Sequence, residues 1–295
     1  MESEPEKIKK KEILIMKKFF AVIMASAIAV GLLSGCGNKE VEQAAEEIKE
    51  AADVVADDLA EGKGTFTVGF DQEFPPYGYV GDDGEFTGFD LDLAAEVADR
   101  LGLELVLTPI DWDAKDLELS SGAIDCIWSG FTINGREDLY TWSEPYTDNS
   151  QVFVVKKTSG IEDFDDLKGS IVAVQTDSSA QQALDGEDFA DLKASFDDYI
   201  LVPNYNQAFM DLESGAVDAV AMDIGVARFQ IEGKEDTYRI LDEPIVSELY
   251  GIGFLKGNTE LRDQVQAAMD EIIADGTFAA ISNKYFGYDV GISEQ

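Results

Sequence analysis

The chain has 295 residues, enough for one large domain or two smaller lobes. Apolar residues make up 45% of it, which supplies a sizeable core; its 60 acidic against 22 basic residues, a formal net charge of −38, argue against a nucleic-acid partner and against electrostatic attachment to an anionic membrane, since both need basic side chains. With no histidine, the commonest general base and the commonest zinc ligand are missing.

The N-terminal stretch reads as an address. Lys17 and Lys18 precede an apolar run from Phe19 to Leu33, too short to span a bilayer but suited to an export signal. Met16-Lys17-Lys18 would be a normal start for such a signal, so residues 1–15 stand oddly ahead of it. Leu33-Ser34-Gly35-Cys36 resembles the lipobox of bacterial lipoproteins, which implies cleavage before Cys36 and lipidation of its thiol. The two cysteines allow at most one disulfide; with Cys36 lipidated, Cys126 stands alone in an apolar run and is expected as a buried structural thiol. The expected location is therefore extracytoplasmic, lipid-anchored at the membrane, as a cell-surface or periplasmic protein.

Residues 36–63 form an acidic tether. Val41, Ala45, Ile48, Ala52, Val55 and Leu59 recur at a heptad-like spacing on a predicted helix, best read as a solvated stalk. From Thr65 onward strand and helix patterns alternate. Strand-like runs are Phe66–Phe70, Leu103–Leu107, Ile124–Trp128, Val152–Val155, Ile171–Val174, Ala219–Met222 and Ile252–Leu255; helical runs include Leu91–Leu101, Ala208–Ser214 and Glu260–Ala274. This alternation predicts an α/β fold with mostly parallel sheet. The acidic turn Gly81-Asp82-Asp83-Gly84-Glu85 lacks the spacing of a calcium loop and is expected as a hairpin turn, and no metal or other cofactor is expected.

One pattern occurs twice. Leu119-Ser120-Ser121-Gly122-Ala123-Ile124-Asp125 matches Leu212-Glu213-Ser214-Gly215-Ala216-Val217-Asp218, each reading as a helix ended by glycine, a turn and a buried strand. Each strand runs into a polar cluster: Ser129-Gly130-Phe131-Thr132 in one, Asp223 in the other. Ligands bind at the carboxyl ends of strands in open α/β sheets, so two such units suggest two similar lobes facing each other across a cleft. The chain is expected to cross between them near Tyr146–Gln151 and to return near Glu243–Tyr250, giving lobe one as residues 64–149 plus 250–295 and lobe two as 150–249.

The ordered motifs Phe70-Asp71-Gln72-Glu73-Phe74-Pro75-Pro76-Tyr77, Gly88-Phe89-Asp90-Leu91-Asp92-Leu93, Ser129-Gly130-Phe131-Thr132-Ile133 with Arg136, and Trp142-Ser143-Glu144-Pro145-Tyr146 strongly resemble the polar-amino-acid binding proteins of ABC importers. Ala274-Asp275-Gly276-Thr277-Phe278 and Lys284-Tyr285-Phe286-Gly287 resemble their last helix. The resemblance covers about residues 64–290 and implies a type II periplasmic-binding-protein fold. A free amino acid presents a fixed zwitterion, which calls for a donor fork at its carboxylate and a carboxylate at its ammonium. Arg136 suits the first role, because guanidinium grips carboxylate bidentately, although the loop from Thr132 to Arg136 is one residue shorter than the family pattern. The resemblance assigns the ammonium to Asp223, with the carbonyl of Gly130 beside it. It places Ser129 and the hydroxyl and N–H of Thr132 at the ligand, Ser178 and Ser179 near the ligand carboxylate, and Phe74 and Trp112 as an aromatic sandwich around its side chain. Asp71 matches a position that touches polar side-chain ends; with Glu73 nearby, a cationic or amide side chain fits. Asp177 stands where the family carries glycine and is expected to cap the helix opening at Ala180.

The expected function is capture of an L-amino acid, polar or basic, by a monomer that delivers it to ABC permease subunits. A ligand-sensing lipoprotein and a dehydratase-type enzyme on the same scaffold are the alternatives. The second lacks an evident histidine base, nucleophile elbow or metal cluster.

Overall fold

The computed structural model describes residues 64–292. The signal, Cys36 and the tether lie outside the described residues. The chain enters through β1 (Thr65–Phe70), followed by a small antiparallel sheet of β2 (Glu73–Phe74), β3 (Gly78–Val80) and β4 (Phe86–Thr87). The acidic turn is thus the β3–β4 hairpin, as expected. Helix α1 (Phe89–Leu101) buries Phe89, Leu93 and Val97 with Ala94 and Ala98, the stripe that a 3.6-residue period produces. Asp90 and Asp92 lie in its first turn and Arg100 in its last, matching the helix dipole, and Gly102 ends it at φ 68°. Strand β5 (Glu104–Pro109), helix α2 (Lys115–Ser121), β6 (Cys126–Ile127) and β7 (Thr141–Trp142) follow.

The long strand β8 (Thr147–Lys156) carries the chain into a second sheet. There lie β9 (Ile171–Gln175), α3 (Ser179–Leu184), α4 (Ala190–Ala194), β10 (Asp198–Val202), α5 (Tyr205–Ser214), β11 (Ala219–Asp223), α6 (Ile224–Ile231) and β12 (Tyr238–Ile240). Strand β13 (Val246–Tyr250) runs back along β8 to β14 (Gly253–Phe254), and α7 (Thr259–Ala274) and α8 (Thr277–Phe286) close the first lobe's helical layer, α7 and α8 both packing on α1. The strand orders are β5-β1-β6-β14-β7 in one sheet and β10-β9-β11-β8-β12 in the other, with β13 on β8. The fold is therefore two α/β lobes joined by two strands. Among the described residues no helix is long and apolar enough to cross a membrane.

The sheets are mixed, which corrects the expectation of mostly parallel sheet. The pairs β1–β5, β1–β6, β9–β10 and β9–β11 are parallel, whereas every pairing made by β8 or β14 is antiparallel. The antiparallel strands carry the chain from one lobe to the other and back, so they run against the strands whose ends face the cleft.

The internal repeat has a structural meaning that its sequence only hinted at. Helices α2 and α5 end at Gly122 and Gly215, with φ 77° and 81°. Beyond each, an aspartate clamps a neighbouring parallel strand, β1 in one sheet and β9 in the other. Asp125 donates its N–H to the Thr67 carbonyl and accepts the Thr67 N–H on its carboxylate at 2.7 Å; Asp218 does the same with Ile171, whose N–H it accepts at 2.9 Å. The two carboxylates thus set equivalent strand registers in the two lobes.

Candidate functional site

All ten side chains singled out from the sequence line one small cavity of about 20 Å³: Asp71, Phe74, Trp112, Ser129, Gly130, Thr132, Arg136, Ser178, Ser179 and Asp223, with Gln175 as the eleventh. They arrive from strand ends, as the topology dictates. Asp71 follows β1, Ser129 and Gly130 follow β6, Gln175 ends β9 and Asp223 ends β11.

On the first lobe, Asp71 is almost fully buried. Its Oδ1 accepts the Glu73 N–H at 2.8 Å, and its Oδ2 accepts Gln175 Nε2 at 2.8 Å from the other lobe. Burial pushes its carboxyl up to about 6, against the pull of those two bonds. Phe74 packs 5.4 Å from the ring of Tyr77, and Trp112 stands edge-on to Phe131 at 5.3 Å. Gly130 has φ 52°, and its N–H donates at 2.6 Å to Asp90, a fully buried carboxyl on α1 that burial raises to about 7. A Cβ at Gly130 would lie 2.7 Å from the ring of Phe74 and 3.0 Å from that of Tyr250. Gly130→Ala is therefore expected to push both rings aside and to strain the backbone by about 1–2 kcal/mol. Ligand titration should show about a tenfold loss of affinity, and thermal melting a lowered midpoint.

Arg136 is buried under the Thr132 and Asp177 carbonyls, donating to them at 3.4 and 3.2 Å, with its guanidinium 5.5 Å from the Phe131 ring centroid. The shorter loop still brings it to the cavity. Two of its five N–H donors are used in these bonds.

Asp177 does not cap the helix. Ser178 does, accepting the Gln181 N–H at 3.1 Å. Asp177 instead adopts φ 58°, the left-handed region that explains why glycine suits this position in the family it resembles. Its carbonyl accepts Trp112 Nε1 at 3.1 Å as well as Arg136, and its carboxylate pairs with the almost fully buried Lys115. Three side chains of the first lobe thus converge on one residue of the second.

The groups around Asp223 were not singled out from the sequence. Asp223 Oδ1 accepts Asn149 Nδ2 at 2.8 Å, Gln151 Nε2 at 2.7 Å and the Tyr250 hydroxyl. The same two amides reach Glu248 Oε1, each at 2.6 Å, and Ser179, expected at the ligand carboxylate, gives its hydroxyl to Glu248 Oε2. Burial, then the neighbouring Glu248 charge, raises Asp223 to about 7. Asn149, Gln151, Glu248 and Tyr250 lie on the crossing strands, where alternation predicts only strand. A larger cavity of about 650 Å³ is lined by Tyr77, Asn149, Arg228, Glu248, Tyr285 and Tyr288 among others, and by none of the ten. The small cavity holds the convergent polar groups and is the candidate site. Cys126 is fully buried and its thiol raised well above its ordinary value by burial, so it is no nucleophile.

Three carboxyls raised on folding set a sign for pH. Below about pH 4 they are protonated in both states and contribute nothing. As pH rises from there towards 7 only the unfolded chain ionises them freely, so stability is lost, and the loss levels off once the folded carboxyls ionise too. The ligand-free protein is expected to melt higher at pH 5.5 than at pH 8, at about 2–4 °C per kcal/mol for a body of this size. The opposite order in calorimetry would show that these carboxyls ionise freely in the folded state.

Comparison with known proteins places this architecture. The family model of bacterial extracellular solute-binding proteins, family 3, matches residues 66–288. The L-cystine-binding protein TcyJ of Escherichia coli is 33% identical over 247 residues, covering 82% of this chain and 90% of its own. The ABC transporter glutamine-binding protein GlnH of Bacillus subtilis is 30% identical over 284 residues, covering 93% and 99%. A solved ABC uptake transporter substrate-binding protein of Streptococcus pneumoniae with bound histidine superposes with a TM-score of 0.74 at 32% identity, over 78% of this chain and 95% of that one. With its two lobes, its crossing strands and a match over most of its length, the chain belongs to family 3 of the bacterial extracellular solute-binding proteins.

Proposed function

We propose that this protein captures an L-amino acid, polar or basic, between its lobes and delivers it to the permease of an ABC importer, binding without catalysis. The observation that carries this reading is the opposed pair Arg136 and Asp223 on one cavity, a donor fork and a carboxylate with the polarity of a zwitterion. Arg136 takes the ligand carboxylate with its three uncommitted N–H donors, helped by Thr132 and Ser178. Asp223 and the Gly130 carbonyl take the ammonium, and Phe74 and Trp112 flank the side chain. Asp71 and Gln175 meet its polar end. The relatives named for cystine and glutamine, and the structure holding histidine, support an amino-acid ligand.

In this reading residues 64–149 plus 250–295 form lobe one and residues 150–249 lobe two, β8 and β13 act as the hinge, and the monomer is held at the membrane by a lipid on Cys36. Closure on the ligand creates the form that docks on the permease.

Isothermal titration of the purified protein, refolded to strip carried-over ligand, against the standard amino acids plus ornithine, citrulline and cystine tests the reading. One tight L-ligand is expected. A folded sample that binds none of them would sink it.

A further inference from the structure

The neighbourhood of Asp223 has a surplus of acceptors. Asn149 and Gln151 are 6% and 0% exposed, and Asp223 and Glu248 are 4% and 3% exposed. Each amide nitrogen donates to both Asp223 Oδ1 and Glu248 Oε1. The carbonyl oxygens of Asn149 and Gln151 are then buried without a donor. Among the described residues no lysine or arginine forms an ion pair with either carboxylate. Two carboxylates tied to the same two amides, with no cation beside them, cannot both stay ionised at low cost. The group that would complete the cluster is a cation with several N–H donors.

We propose that Glu248 is a positioning residue of this cleft, acting through Asp223: it keeps a proton on Asp223 in the free protein, which Asp223 exchanges for one ammonium group on capture. This rests on the amino-acid reading above and adds to it. In the free protein Asp223 holds a proton. On capture the ammonium enters, the proton leaves Asp223 for solvent, and the charge of pair plus occupant is unchanged. The pair stands between the two cavities, since Asp223 lines the small one and Glu248 the larger.

The other titratable groups nearby are accounted for. The hydroxyls of Tyr77, Tyr205 and Tyr250 are driven far above their ordinary value by burial and stay neutral. Asp90, behind Tyr77, and Asp71, across the small cavity beside Arg136, titrate in the same range as Asp223. Arg228, in the larger cavity, donates to the Tyr288 hydroxyl at 3.0 Å. Variants of the pair itself are therefore what assigns the proton.

Titration calorimetry of the intact protein with L-arginine, L-glutamine and L-cystine, in buffers of different ionisation enthalpy, counts the protons. Release of close to one proton per ligand is expected below pH 7, with affinity rising up to tenfold per pH unit there. In Glu248→Gln the midpoint of that rise should move to lower pH. Binding with no proton released, or an unmoved midpoint in Glu248→Gln, overturns the proposal and leaves the amino-acid reading standing. In parallel, ¹³C-carboxyl NMR of the ligand-free protein should show a carboxyl titrating near neutrality that is absent in Asp223→Asn and shifted down in Glu248→Gln. That signal without binding of any of the three probes would remove those ligands while supporting the shared proton. Its absence would overturn the pair, and a wild-type protein that binds without releasing a proton would do so without any variant.

Discussion

Asp223→Ala is expected to weaken amino-acid binding by about 100-fold or more, because truncating one partner of a buried charge pair costs about 2–5 kcal/mol. Asp223 takes three donors on Oδ1, and Oδ2 receives no hydrogen bond from the described residues while the side chain lines the cavity. That free oxygen is the one an ammonium would meet. Fold damage is separable from loss of the site. Asp223 stands at the N-cap of α6 but its side chain makes no capping bond, so alanine removes no cap. It also removes a carboxyl that burial holds up to about 7. Against that gain, the buried Tyr250 hydroxyl loses its acceptor, so melting of the ligand-free variant at pH 8 is expected to fall modestly while the cooperative transition, and hence the fold, is kept. Affinity within threefold of the parent, measured by titration, would place the ammonium elsewhere.

Asp177→Asn is expected to loosen the closed cleft. Asparagine tolerates the left-handed conformation at φ 58°, so the change removes charge and little else. Lys115, its side chain 2% exposed, then loses its counter-charge, while the carbonyl bonds from Trp112 and Arg136 stay available. Asp177 is 53% exposed on its side chain, and solvent screens the pair, so the effect falls well short of a buried ion pair. A loss of affinity of about tenfold follows if closure and binding are linked. Small-angle scattering of the ligand-free variant should give a larger radius of gyration than the parent, and high salt should mimic part of that change. Equal radii at low salt would show that the Lys115–Asp177 pair does not hold the lobes together.

The residues that meet at the small cavity were legible because their ordered motifs resemble those of a known family, and several of them stand at strand ends, where an open α/β sheet presents its ligands. The doubled Leu–Gly–Asp pattern exposed the two-lobe plan for the same reason: it fixes the same helix end and the same strand clamp twice. Other features left no local signal. Asp177 was misread as a cap because an aspartate before a helix usually is one, and a positive φ is not written in a single sequence. Glu248, Asn149 and Gln151 were passed over because each is one polar residue in a strand. Their partners lie 72 to 99 residues away in the chain, so burial against one another is decided by topology alone. The mixed character of the sheets was hidden in the same way, since antiparallel pairing depends on where the crossing strands return.

The pairing of those crossing strands has a consequence for how such a protein can change its ligand. Asn149 lies directly opposite Glu248 in the β8–β13 ladder, and Thr147 opposite Tyr250. In the proposed reading, the side chains that surround the ammonium position are therefore rungs of the connection about which the lobes turn. A substitution there that retunes selectivity also alters the connecting strands themselves, whereas one at Asp71 or Trp112 alters bonds made across the cleft. On that reading divergence towards new substrates is easiest at the side-chain end of the cleft and most constrained at the ammonium end, where altering recognition means altering the connecting strands as well.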